Sequence, residues 1–233
     1  MSKNRLVVFD MDGTLIDSQA AILAAMNTAF EACDLQAPAP ADALSIVGLS
    51  LFEAMQTLRP DLEALRLNAL VDAYRDAFVL QRARAGGEAA ASLYPGARDA
   101  LNRLSADPSV LLGVATGKAR RGLDHALHHH ELAAYFTTLQ CADNHPSKPH
   151  PSMLHSAAAE CGLAHGVIIG DTEFDIVMGR NAGFATIGVL WGYHGRARLE
   201  AAQPDILIDD FAGLDAALQH LWEQQLWGGH GAV

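Results

Sequence analysis

Six short apolar runs punctuate the chain: "RLVVFD", "VLLGVAT", "FTTLQC", "GVIIGD", "ATIGVL" and "DILID", each bounded by turn-forming residues. A strand with one wet face alternates apolar and polar side chains. Continuous runs of Val, Ile and Leu instead belong to strands buried on both faces, as in a parallel sheet. Helix-length segments separate the later runs: Lys118 to His130, His150 to Cys161, Glu173 to Ala182, Arg196 to Gln203 and Phe211 to Leu226. From Val110 onward the chain reads as consecutive βα units, hence an α/β fold built on a doubly wound parallel sheet.

The first and second runs break this rhythm. About 100 residues separate them, far beyond an ordinary crossover connection. Within the gap, apolar residues recur at helical spacing, as at Ile22, Met26, Ala29 and Cys33, and again at Leu67, Leu70, Tyr74 and Phe78. An inserted helical domain over residues 17–85 is expected, with the α/β core formed by residues 1–16 and 86–233. The small-residue stretch "RAGGEAAASLYPGA" suits a hinge at the exit.

Composition narrows the partners. The 233 residues carry a formal charge of −11 and are 50% hydrophobic. A nucleic-acid or anionic-membrane surface needs clustered Lys and Arg, so a small ligand is expected instead. Three scattered cysteines, Cys33, Cys141 and Cys161, form no CxxC pair, which argues against a disulfide framework or zinc knuckle and for a reducing cytoplasm. The apolar stretch before Asp10 is too short for a signal peptide, and no run reaches the ~18 residues of a membrane span. Oligomeric state is not readable from the chain.

In open α/β sheets the ligand site lies beyond the carboxyl ends of the strands. Here those ends carry Asp10-Met11-Asp12-Gly13-Thr14, Thr116-Gly117-Lys118 and Asp171-Thr172-Glu173-Phe174-Asp175, with Lys148 in the loop after "FTTLQC". Carboxylates gathered on one rim repel unless a cation sits among them, and a hard oxygen site with room for water suits Mg2+. A phosphate would find its positive partners in that metal, in Lys148 and in backbone N–H groups of the helix opening after Thr116. Asp10 at a strand tip is placed to attack phosphorus in line. Asp12, two residues on, is placed to protonate the leaving alcohol and then to activate water.

Taken in order, "DMDGT", "VATGK", "SKPHP" and "GDTEFD" resemble the four motifs of the haloacid dehalogenase superfamily. The helical insertion resembles the cap of its phosphoglycolate-phosphatase-like branch. The resemblance implies a Rossmann-like core with an inserted α-helical cap. It implies a Mg2+-dependent phosphatase that hydrolyses a small, phosphoglycolate-like phosphomonoester through an aspartyl phosphate. It assigns Asp10 as nucleophile and metal ligand, and Asp12 as acid/base with its backbone carbonyl on the metal. Thr116, Gly117 and Lys148 become phosphate-binding, with Lys148 also steadying Asp10. Asp171 becomes a metal ligand and Asp175 a supporting residue. The segment around Gly48, Leu49 and Ser50 is similar to a substrate loop of the cap. Dehalogenases lack the second aspartate because a C–Cl bond needs no protonated leaving group, so Asp12 argues for phosphate esters.

Competing readings are a sugar phosphomutase of the β-phosphoglucomutase kind, a nucleotidase or a pyrophosphatase on the same scaffold, and a phospho-receiver signalling module. Thr14 leans to hydrolysis over phosphoryl transfer, since the mutase branch resembles DGV there. A phosphonate hydrolase would need a cap lysine, and none occurs from Asp17 to Arg84. A receiver has neither the Asp12 acid nor a long insertion. Bland roles are expected for Asp17 and Ser18 as the start of the first cap helix, for His128 to His130 as a solvated helix end, and for Trp222 and Trp227 as packing of the last helix. His145, His150 and His194 are left unassigned near the rim.

Overall fold

The computed structural model describes residues 4–84 and 91–224. All six apolar runs form strands: β1 (Arg5–Phe9), β2 (Val110–Thr116), β3 (Phe136–Cys141), β4 (Val167–Gly170), β5 (Ala185–Val189) and β6 (Ile206–Ile208). They join in one parallel sheet of order β3-β2-β1-β4-β5-β6. Val7 in the central β1 pairs with Leu112 on one side and Val167 on the other. Leaving β1, the chain fills one half of the sheet first and then returns beside β1 to build the other half. The crevice at this reversal, past the carboxyl ends of β1 and β4, is where an open α/β sheet binds ligands.

Four helices follow β1: α1 (Gln19–Ala32), α2 (Pro40–Ser45), α3 (Leu51–Leu58) and α4 (Ala64–Arg84). The rest alternate with strands: α5 (Ala97–Ser105), α6 (Arg120–His129), α7 (Ser152–Glu160), α8 (Glu173–Ala182), α9 (Arg196–Ala202) and α10 (Leu214–Glu223). The residues before β2 were not read as helical from the sequence, yet α5 buries Ala97, Ala100, Leu101 and Leu104 against the sheet. The glycine pair of the expected hinge, the 85/86 boundary and Trp227 lie outside the described residues.

The period of two along β1 divides the core. Val7 and Phe9 join the cluster under α5, α6 and α10, while Leu6 and Val8 join the one under α7 and α8. Both faces are thus dry, which is why the strands read as unbroken apolar runs. Trp222 packs against the first cluster, and the Arg5 guanidinium lies 4.3 Å from its ring centre. A third cluster, with Met26, Phe30, Met55, Leu67 and Leu70 at its centre, belongs to α1–α4 alone. Among the described residues no helix is long and apolar enough to cross a membrane.

Leu6 is 1% exposed and Leu65 81% exposed. Leu6→Ala is expected to cost about 2–5 kcal/mol in urea unfolding with an unchanged m-value, and Leu65→Ala less than about 0.5 kcal/mol.

Candidate active site

The loop that leaves β1 turns sharply. Leu15 and Ile16 N–H both donate to the Met11 carbonyl, and Gly13 N–H donates to that of Ile16. Gly13 has φ 90°, and a Cβ there would stand 2.2 Å from Asp171 Oδ2, so both the turn and the close approach require glycine. Thr14, just after it, donates its hydroxyl to Asp171 Oδ1 at 2.9 Å. The turn thereby ties the end of β1 to the end of β4.

Asp10 is 1% exposed at the tip of β1. Lys148, equally buried, places Nζ 2.8 Å from Asp10 Oδ1 and 2.6 Å from Asp175 Oδ1. The contact with Asp175 is a well-formed hydrogen bond. The contact with Asp10 is an off-axis ion pair, which leaves that buried oxygen without an aligned donor. Asp175 Oδ2 accepts from the Thr172 backbone N–H and hydroxyl at 3.1 and 2.7 Å, forming the capping box that starts α8. Asp175 is thereby fully engaged.

Asp10, Asp171 and Asp175 bring one carboxylate oxygen each within 4.8 Å of one another. Three buried carboxylates thus face one ammonium. Burial pushes the Asp10 carboxyl up to about 6, against the opposing pull of Lys148. Burial, then Asp10 and Asp175, hold Asp171 well above the ordinary carboxylate range, although Tyr193 N–H and Thr14 donate to it. Burial works against the Lys148 charge, but Asp10 and Asp175 outweigh it and hold the amine above its ordinary value. The pocket therefore has a surplus of negative charge that a divalent cation on oxygen ligands would relieve.

The Asp12 side chain leaves this cluster. Its Oδ1 accepts from Ser18 Oγ at 2.5 Å and its Oδ2 meets Lys118 Nζ at 2.5 Å. Ser18, read as bland from the sequence, and Lys118 of the "VATGK" run thus hold it. Ser18 stands at the start of α1 but spends its hydroxyl on Asp12, leaving Asp17 to accept from Gln19 N–H at 3.3 Å. Thr116, buried at the end of β2, accepts from Lys118 N–H at 3.2 Å. The helix beyond it starts only at Arg120, whose N–H is already given to Asp143 Oδ2 at 2.9 Å. That one amide of the helix start is therefore not available to a phosphate.

A segment after β5 closes the far side. Trp191 Nε1 donates to the Thr14 carbonyl at 3.0 Å, Tyr193 N–H to Asp171 Oδ2 at 2.9 Å, and the Tyr193 hydroxyl accepts from Ser18 N–H at 3.0 Å. His194, 2% exposed, accepts from Glu173 N–H through Nδ1 and stands 3.0 Å from the Ser45 carbonyl through Nε2. Both contacts are satisfied by one neutral tautomer, and burial, followed by Arg198, lowers its pKa. None of this was legible, because bonds such as Tyr193–Ser18 join residues 175 apart.

Between α1–α4 and the strand ends lies a cavity of about 700 Å3, lined among others by Asp10, Asp12, Gly48, Leu49, Ser50, Thr116 and Gly117. Lys148, Asp171 and Asp175 stand buried behind its polar end. His128 and His129 are exposed, as a solvated helix end should be, and His129 and His130 also border the cavity; half-buried His130 places Nε2 2.9 Å from the Ala91 carbonyl. His145 is turned to Ser152 and Gln140, and His150 to Ser152 N–H.

A family model described as haloacid dehalogenase-like hydrolase matches residues 7–189. The chain is 34% identical over 221 residues to a probable phosphatase, IndB, of Dickeya dadantii, covering 93% of this chain and 94% of that one. It is 30% identical over 217 residues to a phosphoglycolate phosphatase of Agrobacterium fabrum, covering 91% of each. A haloacid dehalogenase-like family hydrolase from Streptococcus pneumoniae superposes with a TM-score of 0.78 at 26% identity, over 93% of this chain and 99% of that one.

The raised Asp10 carboxyl has a measurable consequence. Its stabilising contribution is fully present below pH 3.8 and is lost as pH rises past about 6. In EDTA, Asp10→Asn and wild type are expected to unfold at similar urea concentrations near about pH 4, with the variant more stable by about 3 kcal/mol near about pH 7.

Proposed function

The chain belongs to the haloacid dehalogenase-like hydrolases as an enzyme of the phosphatase kind, and on that footing we propose that it is a Mg2+-dependent phosphomonoesterase working through an aspartyl phosphate on Asp10. The carrying observation is the pair at the end of β1. Asp10 lies on the buried Lys148, while Asp12 turns the other way, onto Ser18 and Lys118. Two carboxylates two residues apart are thereby held in different surroundings, as a nucleophile and an acid/base need to be.

In the first step the Asp10 carboxylate forms an O–P bond to the bound ester while the ester P–O bond breaks, and Asp12 gives its proton to the leaving oxygen. In the second, Asp12 takes a proton from water, the water oxygen bonds to phosphorus, and Asp10 leaves as carboxylate. Thr116 and Gly117 bound the phosphate end of the cavity, and Lys148 steadies Asp10 from behind.

The residues fit a divalent cation on two counts: a buried Asp10 oxygen without an aligned donor, and three carboxylates against one ammonium. Asp10, Asp171 and the Asp12 backbone carbonyl would hold Mg2+, with Asp175 supporting through Lys148. Bound there, Mg2+ supplies positive charge to the phosphoryl oxygens.

Residues 17–85 act in this reading as a cap over the site. Docking of the cap onto the core is supported by three contacts. Ser50 N–H donates to Ser147 Oγ at 2.8 Å, and His194 reaches the Ser45 carbonyl. A Cβ on Gly117 would lie 2.5 Å from the Gly48 and Leu49 carbonyls. A closed cap excludes bulk water from an acyl phosphate.

Phosphate release from p-nitrophenyl phosphate is expected to require Mg2+ and to fall by about 10^4-fold or more in Asp10→Asn. Asp12→Asn is expected to slow turnover by about 10^2 to 10^4-fold while phosphate affinity, measured by calorimetry, stays near that of wild type. Unchanged turnover in either variant contradicts the corresponding role.

A further inference from the structure

We propose, building on the phosphatase reading, that the alcohol half of the substrate is bulky, apolar and ring-bearing. Phosphoglycolate and pyrophosphate are then poor substrates. The cavity that begins at Asp10 and Asp12 is about 700 Å3, in the middle of the range for pockets that enclose ligands of drug-like size. A two-carbon phosphate ester leaves most of that space unfilled. The volume does not come from a cap standing away from the core, because Gly48 and Leu49 already rest on Gly117 and Ser50 is bonded to Ser147.

The walls settle the chemistry. Past the polar end the cavity is lined by Ile22, Val47, Leu49, Phe52, Tyr74 and Phe78. Tyr74 and Phe78, one helical turn apart on α4, stand 5.1 Å between ring centres at 55°. Together they offer the ring edges and faces against which a planar ring packs. Burial, with Asp12 adding to it, pushes the Tyr74 hydroxyl above its ordinary pKa, so it stays neutral.

A carboxylate or second phosphate on a short substrate would need a cation among those walls. Among the described side chains of the helical insertion, Arg59 is paired with Asp61, and Arg66 donates to the Cys33 carbonyl. Arg75 reaches the cavity but is exposed and paired with Asp72. On the core side Lys118 is held by Asp12, while Arg121 lies exposed at the solvent edge. The imidazoles of His125, His129 and His130 line the cavity from α6 and its C-cap, so the basic side chains stand on the core side and at the entrance, with Ile22, Val47, Phe52, Tyr74 and Phe78 forming the apolar wall of the helical insertion. An apolar ring there displaces water at no cost in unpaired charge.

The test uses esters that share a primary alcohol as leaving group, so that only the distal group differs: ethyl phosphate, 2-phosphoglycolate, 2-phenylethyl phosphate and 2-(1-naphthyl)ethyl phosphate, each with Mg2+. Expected is a rise in kcat/KM of about 10-fold or more from ethyl to phenylethyl, a further gain for naphthylethyl, and phosphoglycolate no better than ethyl. Phe78→Ala is expected to shrink the phenylethyl-to-ethyl ratio toward one. Phosphoglycolate or ethyl phosphate turned over as fast as both aromatic esters overturns the inference and leaves the phosphatase reading standing. Failure of all four esters removes the phosphatase reading instead. Calorimetry with Asp10→Asn then decides the cavity: tighter binding of phenylethyl than ethyl phosphate, by about 10-fold, upholds it, and equal affinity overturns it.

Discussion

One buried ammonium organises the molecule's chemistry. Lys148 lies between Asp10 and Asp175 with no exposure to solvent, and neither carboxylate sits there cheaply without it. Yet a single positive charge does not balance the three carboxylates of the cluster. Asp10 and Asp171 carry the imbalance as raised pKa values. Protein alone thus builds a site with more negative than positive charge, which a divalent cation on oxygen ligands would relieve. The crowding that raises those pKa values costs stability, and a cation there would offset that cost.

Everything around the cluster serves to hold it in place. The parallel sheet is dry on both faces, so β1 and β4 cannot slip in register without exposing one side of the core. Their loops are then cross-linked by Thr14 to Asp171 and by Gly13 resting on that same carboxylate. The helical insertion has its own apolar cluster and, among the described residues, is tied to the core by Ser18, Ser45 and Ser50.

How much of this could be read from the chain depends on the range of each interaction. The strands were legible because burial on two faces writes itself as a continuous apolar run. The convergence of the β1, β2 and β4 loops was legible because their polar residues stand next to one another at strand ends. Ser18 was misjudged because it has an ordinary local role beside a helix start, and nothing local shows that it and Lys118 converge on Asp12. The 191–194 segment was invisible for the same reason: a tryptophan, a tyrosine and a histidine after a strand carry no pattern, and only the folded sheet brings them to Thr14, Asp171 and Ser18. Helix α5 was missed because it follows directly on a stretch read as hinge.

That last segment has a consequence for how such a chain tolerates change in length. Surface connections after a strand ordinarily accept insertions and deletions. Here Trp191, Tyr193 and His194 bond Thr14, Asp171 and Ser45 within four residues, so adding or removing one residue between them breaks at least one of these three ties. A change of length is therefore poorly tolerated in this connection, although it follows a strand as surface loops do.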